Sequence, residues 1–340
     1  MERERVRRMV RDLLLARRFE ERAGQAYSEG AFGGFLHLYP GEEAVAVGVL
    51  HAAEPSDYVV STYREHVHAL VKGLPPGRVM AELYGRRDGC SGGMGGSMHL
   101  FDRERRFMGG YAIVGETFPI AIGIAYGIML RKLTEAVICF FGEGAVNQGT
   151  FHESLNMAAL WRLPVLFVCE NNRYQIGTEI HQQAAITEVH KRACAYGMPG
   201  ECADGMDVLA VHEIARRMLH AIRGGQGPQL LELTTYRFRG HSMADAGAYR
   251  SRAEVETFKQ ADPLRRAEHD LVAPVDRLSD SPAALDEAMM RQLRDEVEQI
   301  VAGAVAFAEA SAVPTLSDAW DALHAVGREP GLIRTEGGNG

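Results

Sequence analysis

Two short, uninterrupted apolar runs constrain this chain more than anything else in it. Ala136-Val137-Ile138-Cys139-Phe140-Phe141 and Val165-Leu166-Phe167-Val168-Cys169 contain no polar position. A strand with one wet face alternates, whereas a strand apolar throughout is covered on both faces, as in parallel sheets. Residues 147–161 lie between the two runs and read as a helix, with Phe151, Leu155, Ala158, Ala159 and Trp161 available to its inner side and Pro164 following it. Strand, helix and strand make one βαβ unit of about 30 residues. The chain is therefore expected to be an α/β protein, a mostly parallel sheet with helices on both faces.

Other segments fit that plan. Val6, Met9, Val10, Leu13, Leu14 and Phe19 recur at helical spacing and predict a helix over 5–28. An amphipathic helix is expected over 207–223, a strand over 229–236, and charged helices from about 263. The uncharged run Thr117–Leu130 reads as a buried core helix, being shorter than the ~18–20 residues that span a bilayer. Gly89-Cys90-Ser91-Gly92-Gly93-Met94-Gly95-Gly96-Ser97 fits either a flexible hinge or a packed loop near a ligand. There is no internal repeat. One large domain over 1–330 is expected, with N-terminal helices and loops (1–100), a core (101–260), C-terminal helices (261–330) and a flexible tail (331–340).

Composition narrows the function. Lys plus Arg number 37 against 45 Asp plus Glu, a net charge of −8. An acidic surface disfavours nucleic acid or an anionic membrane as the main partner. The five cysteines include no C-x-x-C pair, which removes a zinc ribbon and a disulfide framework; Cys139 and Cys169 read as buried. Arginines near the start alternate with Glu2, Glu4 and Asp12, unlike a transit peptide. A reduced, cytoplasmic protein is the expectation.

In open α/β sheets ligands bind outside the carboxyl ends of the strands. The two named strands end at Gly142-Glu143-Gly144 and Asn171-Asn172. A Gly-acid-Gly turn lets backbone amides approach a phosphate, and the following helix points its N-terminal amides the same way. The acid would repel a bare anion, and a cation resolves the conflict. Mg²⁺ is typically shared between one or two protein groups and substrate phosphates. Glu143, the amide oxygen of Asn172 and the carbonyl of Tyr174 can supply such a site. Gly-x-Gly alone is a weak signal, the dinucleotide fingerprint is incomplete, and no Gly-x-x-x-x-Gly-Lys-Ser/Thr run exists.

Taken together, Gly142-Glu143-Gly144 through Asn171-Asn172 resembles the thiamin diphosphate motif. The filling from Asn147 to Trp161 is similar to the alpha chains of the 2-oxoacid dehydrogenase family, which includes pyruvate and acetoin dehydrogenases. His37-Leu38-Tyr39-Pro40-Gly41-Glu42-Glu43-Ala44, Tyr63-Arg64-Glu65-His66, Gly95-Gly96-Ser97-Met98-His99 and Tyr236-Arg237-Phe238-Arg239-Gly240-His241-Ser242-Met243-Ala244-Asp245 agree. The resemblance implies a thiamin-diphosphate-binding fold with N-terminal and C-terminal helical extensions. It also implies two alpha and two beta chains, with the cofactor between them, and transfer of the acetyl unit from pyruvate to a lipoyl group on an acyltransferase. By position, Glu143, Asn172 and the Tyr174 carbonyl are implied as Mg²⁺ ligands. Tyr63, Arg64, Gly144 and Ala145 are implied at the diphosphate, and Ala112 and Val114 against the rest of the cofactor. His37 and His241 are implied in the substrate channel, with His66 close by. His66 and His68 splay apart on a helix and do not suggest a metal pair.

The family writes aspartate where this chain has Glu143. One extra methylene moves the carboxylate by roughly 1.5 Å, large against Mg²⁺ geometry, so the expectation is a divalent site with relaxed preference towards Mn²⁺ or Ca²⁺. Ser242 matches a serine phosphorylated in animal relatives and reads here as a plain loop residue, since Glu179 and Ala248 stand at or near the companion positions. The 240–250 loop, with Gly240 and Gly247, is expected to be mobile without cofactor. Acetoin or a branched-chain 2-oxoacid is the alternative substrate, and a catalytically silent scaffold is the alternative class.

Overall fold

The computed structural model describes residues 3–272 and 285–324. The expected tail over 331–340, and parts of the expected C-terminal helical region, lie outside the described residues. In chain order the strands are β1 (Tyr58–Thr62), β2 (Phe107–Tyr111), β3 (Val137–Gly142), β4 (Val165–Asn171), β5 (Tyr174–Gln175), β6 (Thr178–Glu179), β7 (Gly200–Asp204) and β8 (Gln229–Thr234). Six of them form one sheet in the order β2-β1-β3-β4-β8-β7, with every neighbouring pair parallel. The short β5 and β6 pair as an antiparallel hairpin. From β1 the chain adds β2 on one side, then returns to build β3, β4 and β8 on the other. The switch point therefore falls between β1 and β3, where open α/β sheets bind ligands.

The helices are α1 (Arg3–Ser28), α2 (Glu43–Ala52), α3 (His66–Val71), α4 (Pro76–Leu83), α5 (Thr117–Leu130), α6 (Gly149–Leu160), α7 (Ile180–Gln183), α8 (Val208–Ala221), α9 (Arg252–Lys259), α10 (Pro263–Leu271), α11 (Glu287–Ala310) and α12 (Leu316–His324). The period-2 geometry of a strand divides the core in two. Ile138, Phe140, Leu166, Val168, Leu231 and Leu233 face a layer built from α1, α2, α4, α8 and α11. Val137, Cys139, Phe141, Val165, Phe167 and Cys169 face α5 and α6. Phe118, Phe141 and Phe151 pack edge to face there, at 4.8 and 5.3 Å from the Phe118 ring centroid. Both faces are thus dry, which is why the strands carry no alternation. Cys139 and Cys169 are buried, as their runs predict. The spacing over 5–28 also holds, with Val6, Met9, Val10, Leu13 and Phe19 buried on one side of α1. Asp207 starts α8 by accepting hydrogen bonds from the amides of Leu209 and Ala210, the N-cap role that short acidic side chains fill.

Some local expectations need correction. The segment expected as one helix over 147–161 divides: Glu143–Asn147 is a 3-10 turn, Gln148 is extended, and α6 runs Gly149–Leu160. Trp161 is 40% exposed and packs beside Tyr126 rather than inside, because it falls past the last helical residue. The run Thr117–Leu130 is a helix, but only one side is buried; Tyr126 and Leu130 are exposed. The strand expected over 229–236 ends at Thr234. No described helix is long and apolar enough to cross a membrane.

Candidate functional site

The carboxyl ends of four parallel strands open into a cavity of about 300 Å³. Thr62 ends β1, and Tyr63 and Arg64 follow it; Ala112 and Val114 follow β2; Gly142, Glu143, Gly144 and Ala145 end and follow β3; Asn172 and Tyr174 follow β4. His37 enters from the segment before α2, and Arg237 and His241 from the loop after β8. Of the residues implied at the metal, cofactor and substrate, His66 alone does not line this cavity. It is fully buried, with Nδ1 2.9 Å from Glu20 Oε1 and Nε2 2.9 Å from Ser97 Oγ. His68 turns instead to Glu170, 3.0 Å from its Oε1, so the two rings share no partner.

Glu143 sits where β3 passes into the 3-10 turn, 2% exposed. Its Oε2 accepts the Asn172 amide at 3.3 Å, which ties the ends of β3 and β4 together. Its Oε1 is buried with no hydrogen-bond partner. A buried carboxylate oxygen without a donor is costly to ionise, and burial pushes the Glu143 carboxyl up to about 7, against the pull of Arg237. An added cation relieves that cost. Backbone turning brings the other oxygens close. Arg173, at φ 75°, reverses the chain straight after Asn172. Arg237 Nη1 then lies 3.4 Å from both Asn172 Oδ1 and the Tyr174 carbonyl. A positive group is already seated where those two oxygens converge. The carboxylate, amide and carbonyl oxygens suit a hard divalent ion.

Beside them is room for an anion. A Cβ at Gly142 would meet no atom within 4 Å. Gly144 has no such freedom, since a Cβ there would stand 2.7 Å from Gln175 Cγ. Arg64 is buried and donates to the carbonyls of Leu38, at 2.5 Å, and His241, at 2.8 Å, so it positions the 241 loop as well as supplying charge. His37, Tyr63 and His241 form an aromatic corner, with ring centroids 4.5 to 5.6 Å apart. Burial and then Arg64 push His37 down to about 2 and His241 down to about 4. Both rings are therefore neutral at pH 7, and the Nδ1 of each is buried without a partner. A neutral imidazole can donate or accept a proton.

Sequence reasoning gave no role to Glu42, Glu170 or Arg237, and all three line the cavity. Glu42 Oε1 accepts from Asn172 Nδ2 at 3.1 Å, its Oε2 is 3.8 Å from Arg64 Nε, and burial raises its pKa. Gly41 makes this approach possible: at φ 104°, a Cβ there would be 2.2 Å from the Tyr236 carbonyl. Arg237 is a charged residue just past the end of a buried strand. The positional rule that found Glu143 and Asn172 applies equally to it.

Such a cavity, at the switch point of a parallel sheet and lined by carboxylate, amide and carbonyl oxygens beside arginines, defines an α/β protein with its ligand-binding chemistry at the strand ends. The chain belongs to the dehydrogenase E1 component family, which matches residues 11–317. It is 44% identical over 317 residues to a Porphyra purpurea pyruvate dehydrogenase E1 component subunit alpha, covering 91% of this chain and 90% of that one. It is 45% identical over 309 residues to the Rhizobium meliloti (strain 1021) protein of the same name, covering 91% and 86%. It is likewise 45% identical over 315 residues to that of Zymomonas mobilis, covering 92% and 86%.

Proposed function

We propose that the chain is the alpha subunit of a pyruvate dehydrogenase, working with thiamin diphosphate and Mg²⁺ and completed by a beta subunit. The observation that carries this reading is the partnerless Glu143 Oε1, buried beside Asn172 and the Tyr174 carbonyl at the switch point. Glu143, Asn172 and Tyr174 hold the divalent ion. Tyr63, Arg64, Gly144 and Ala145 face the diphosphate, and Ala112 and Val114 face the remainder of the cofactor. When bound, thiamin diphosphate supplies the electron sink for decarboxylation of a 2-oxoacid. His37 and His241, neutral at pH 7, position the substrate and move protons at their ring nitrogens. His66 works indirectly, by fixing Ser97 next to the cavity residue Met98.

An incomplete rim supports the partner. Ile113 is 70% exposed and Val114 39%, at the cavity mouth. Apolar side chains at a cofactor mouth call for a covering surface, here the beta subunit. A lipoyl-bearing acyltransferase receives the acetyl unit. Pyruvate is the preferred substrate, in keeping with the names of the relatives above. The test is reconstitution with a beta subunit and an acyltransferase lipoyl domain, followed by assay on pyruvate, acetoin and 3-methyl-2-oxobutanoate. Acetylation of the lipoyl domain from pyruvate, lost in Glu143→Ala, is expected. Turnover only with acetoin or the branched acid moves the chain to that substrate. No turnover with any of them, alongside Mg²⁺-independent cofactor binding, overturns the reading.

A further inference from the structure

We propose that His190, Cys202 and Glu232 form a second metal site, one for a zinc-class divalent transition ion. They come from three different segments. His190 lies on the 3-10 turn Val189–Tyr196, Cys202 on β7 and Glu232 on β8. Cys202 and Glu232 are direct partners in the parallel register. One ligand atom from each of the three residues lies within 4.8 Å of the other two. Zinc takes thiolate at about 2.3 Å and imidazole or carboxylate at about 2.0–2.2 Å, which in tetrahedral geometry separates ligand atoms by about 3.3–3.6 Å. The His190–Glu232 pair, at 2.7 Å, opens to that range and separations of up to 4.8 Å close to it by side-chain shifts.

The surroundings are those of a built site. Glu232 is 2% exposed, with Oε1 accepting from Asn171 Nδ2 at 2.7 Å and Oε2 accepting from the His190 amide at 2.9 Å. Such outer hydrogen bonds orient a metal-binding carboxylate. His190 Nδ1 is 2.7 Å from Glu232 Oε2, so a proton lies between two ligand atoms. An ion takes that proton's place, and the Cys202 thiol gives up its own to solvent. The cluster opens into a cavity of about 300 Å³ that shares no lining residue with the switch-point cavity. His181 and Glu188 also line this cavity, Arg173 is a cation in its wall, and Asp204 adds negative charge at Cys202. A mixed sulfur, nitrogen and oxygen set selects a borderline ion such as Zn²⁺ over Mg²⁺. The switch-point site has no thiol, so the two sites differ in kind.

The untagged full chain, kept reduced, is titrated with Co²⁺ as a spectroscopic probe and with Zn²⁺ as competitor. A near-ultraviolet thiolate-to-cobalt band is expected, saturating at one ion per chain, displaced by Zn²⁺ and indifferent to excess Mg²⁺. Cys202→Ser removes it, His190→Ala weakens affinity at least about tenfold, and Cys194→Ser, at another exposed thiol, leaves it intact. Absence of the band in the unsubstituted chain, or its persistence in Cys202→Ser, overturns the proposal. Cofactor binding plays no part in this readout, so failure of the proposed function leaves the result unaffected.

Discussion

Glu143 Oε2 accepts the Asn172 amide at 3.3 Å while Glu143 Oε1, equally buried, has no partner. One oxygen joins two strand ends, and the other is the atom proposed to meet the ion. Because the side chain is one methylene longer than the family aspartate, an ion held as proposed would sit under looser geometric control than Mg²⁺ prefers. Thiamin diphosphate binding by the unsubstituted chain, measured by calorimetry, is expected to be supported by Mn²⁺ and Ca²⁺ as well as by Mg²⁺. In Glu143→Asp the preference is expected to move towards Mg²⁺ by at least a few-fold. Equal metal preferences in the two proteins would contradict the argument.

Arg237 is fully buried and donates to Asn172 Oδ1, the carbonyls of Tyr174 and Ile176, and Tyr249 Oη. Arg237→Met removes the guanidinium donor from the buried Tyr174 carbonyl and leaves the buried Asn172 Oδ1 with the Tyr174 amide alone. Each unsatisfied group costs about 1–3 kcal/mol, so a loss of at least about 2 kcal/mol is expected in urea unfolding. Arg237→Lys is expected to recover only part of it, since an ammonium cannot reproduce the guanidinium fork. Full recovery by lysine would show that charge alone matters here.

Glu82 does for the glycine-rich loop what no sequence pattern announced. Its Oε2 accepts the amides of Ser91 and Gly93, at 2.7 and 2.9 Å, and its Oε1 those of Gly95 and Gly96, at 2.8 and 3.2 Å. The loop is a packed one, wrapped around a fully buried carboxylate and leading to Met98 at the cavity. Gly93 is required at φ 77°, where a Cβ would also meet the Arg86 carbonyl at 2.6 Å. Glu82→Ala is expected to cost about 3–5 kcal/mol in urea unfolding. Glu82→Gln is expected to recover little, because its amide group turns donors towards donors. Rescue by glutamine would refute the four-amide account.

How much was legible follows from which interactions are local. The strand runs, the βαβ unit and the strand ends carrying Glu143 and Asn172 depend on periodicity and on breaks within one segment, and the sequence displays both. The same rule reaches Arg237, three residues past Thr234, but charge there was not weighed. Glu42, Glu82 and Glu65 are different. Glu65 accepts the Leu100 amide at 2.7 Å and leaves so little room that a Cβ at Gly110 would overlap its carboxylate. Burial of a carboxylate against distant backbone amides has no periodic signature, and a buried glutamate reads like any surface one. Trp161 shows the converse: an apolar residue one position past a helix end lost its place in the core.

The aromatic corner ties acid stability to the cavity. His37 and His241 are held neutral by burial and by Arg64, with pKa values near 2 and 4, against an unfolded value of about 6.5. Below pH 6.5 the unfolded chain therefore binds protons that the folded chain refuses. Stability rises with pH wherever the unfolded state holds more protons, so the share due to these two rings falls as pH drops from 6.5 to about 4, against the opposite contribution of Glu42 and Glu143, whose carboxyls burial raises to about 7. Beyond that point only His37 continues to contribute. His212, lowered to about 4 by burial and Arg5, adds to the same slope from outside the cavity. In the double variant His37→Gln, His241→Gln, the stability at pH 5.0 relative to that at pH 7.5, read by urea unfolding, is expected to be higher than in the unsubstituted chain, with the share due to His212 left in both. An unchanged pH difference in that variant would mean that the two rings are already protonated in the folded chain, and the neutral-imidazole role assigned to them would fall with it.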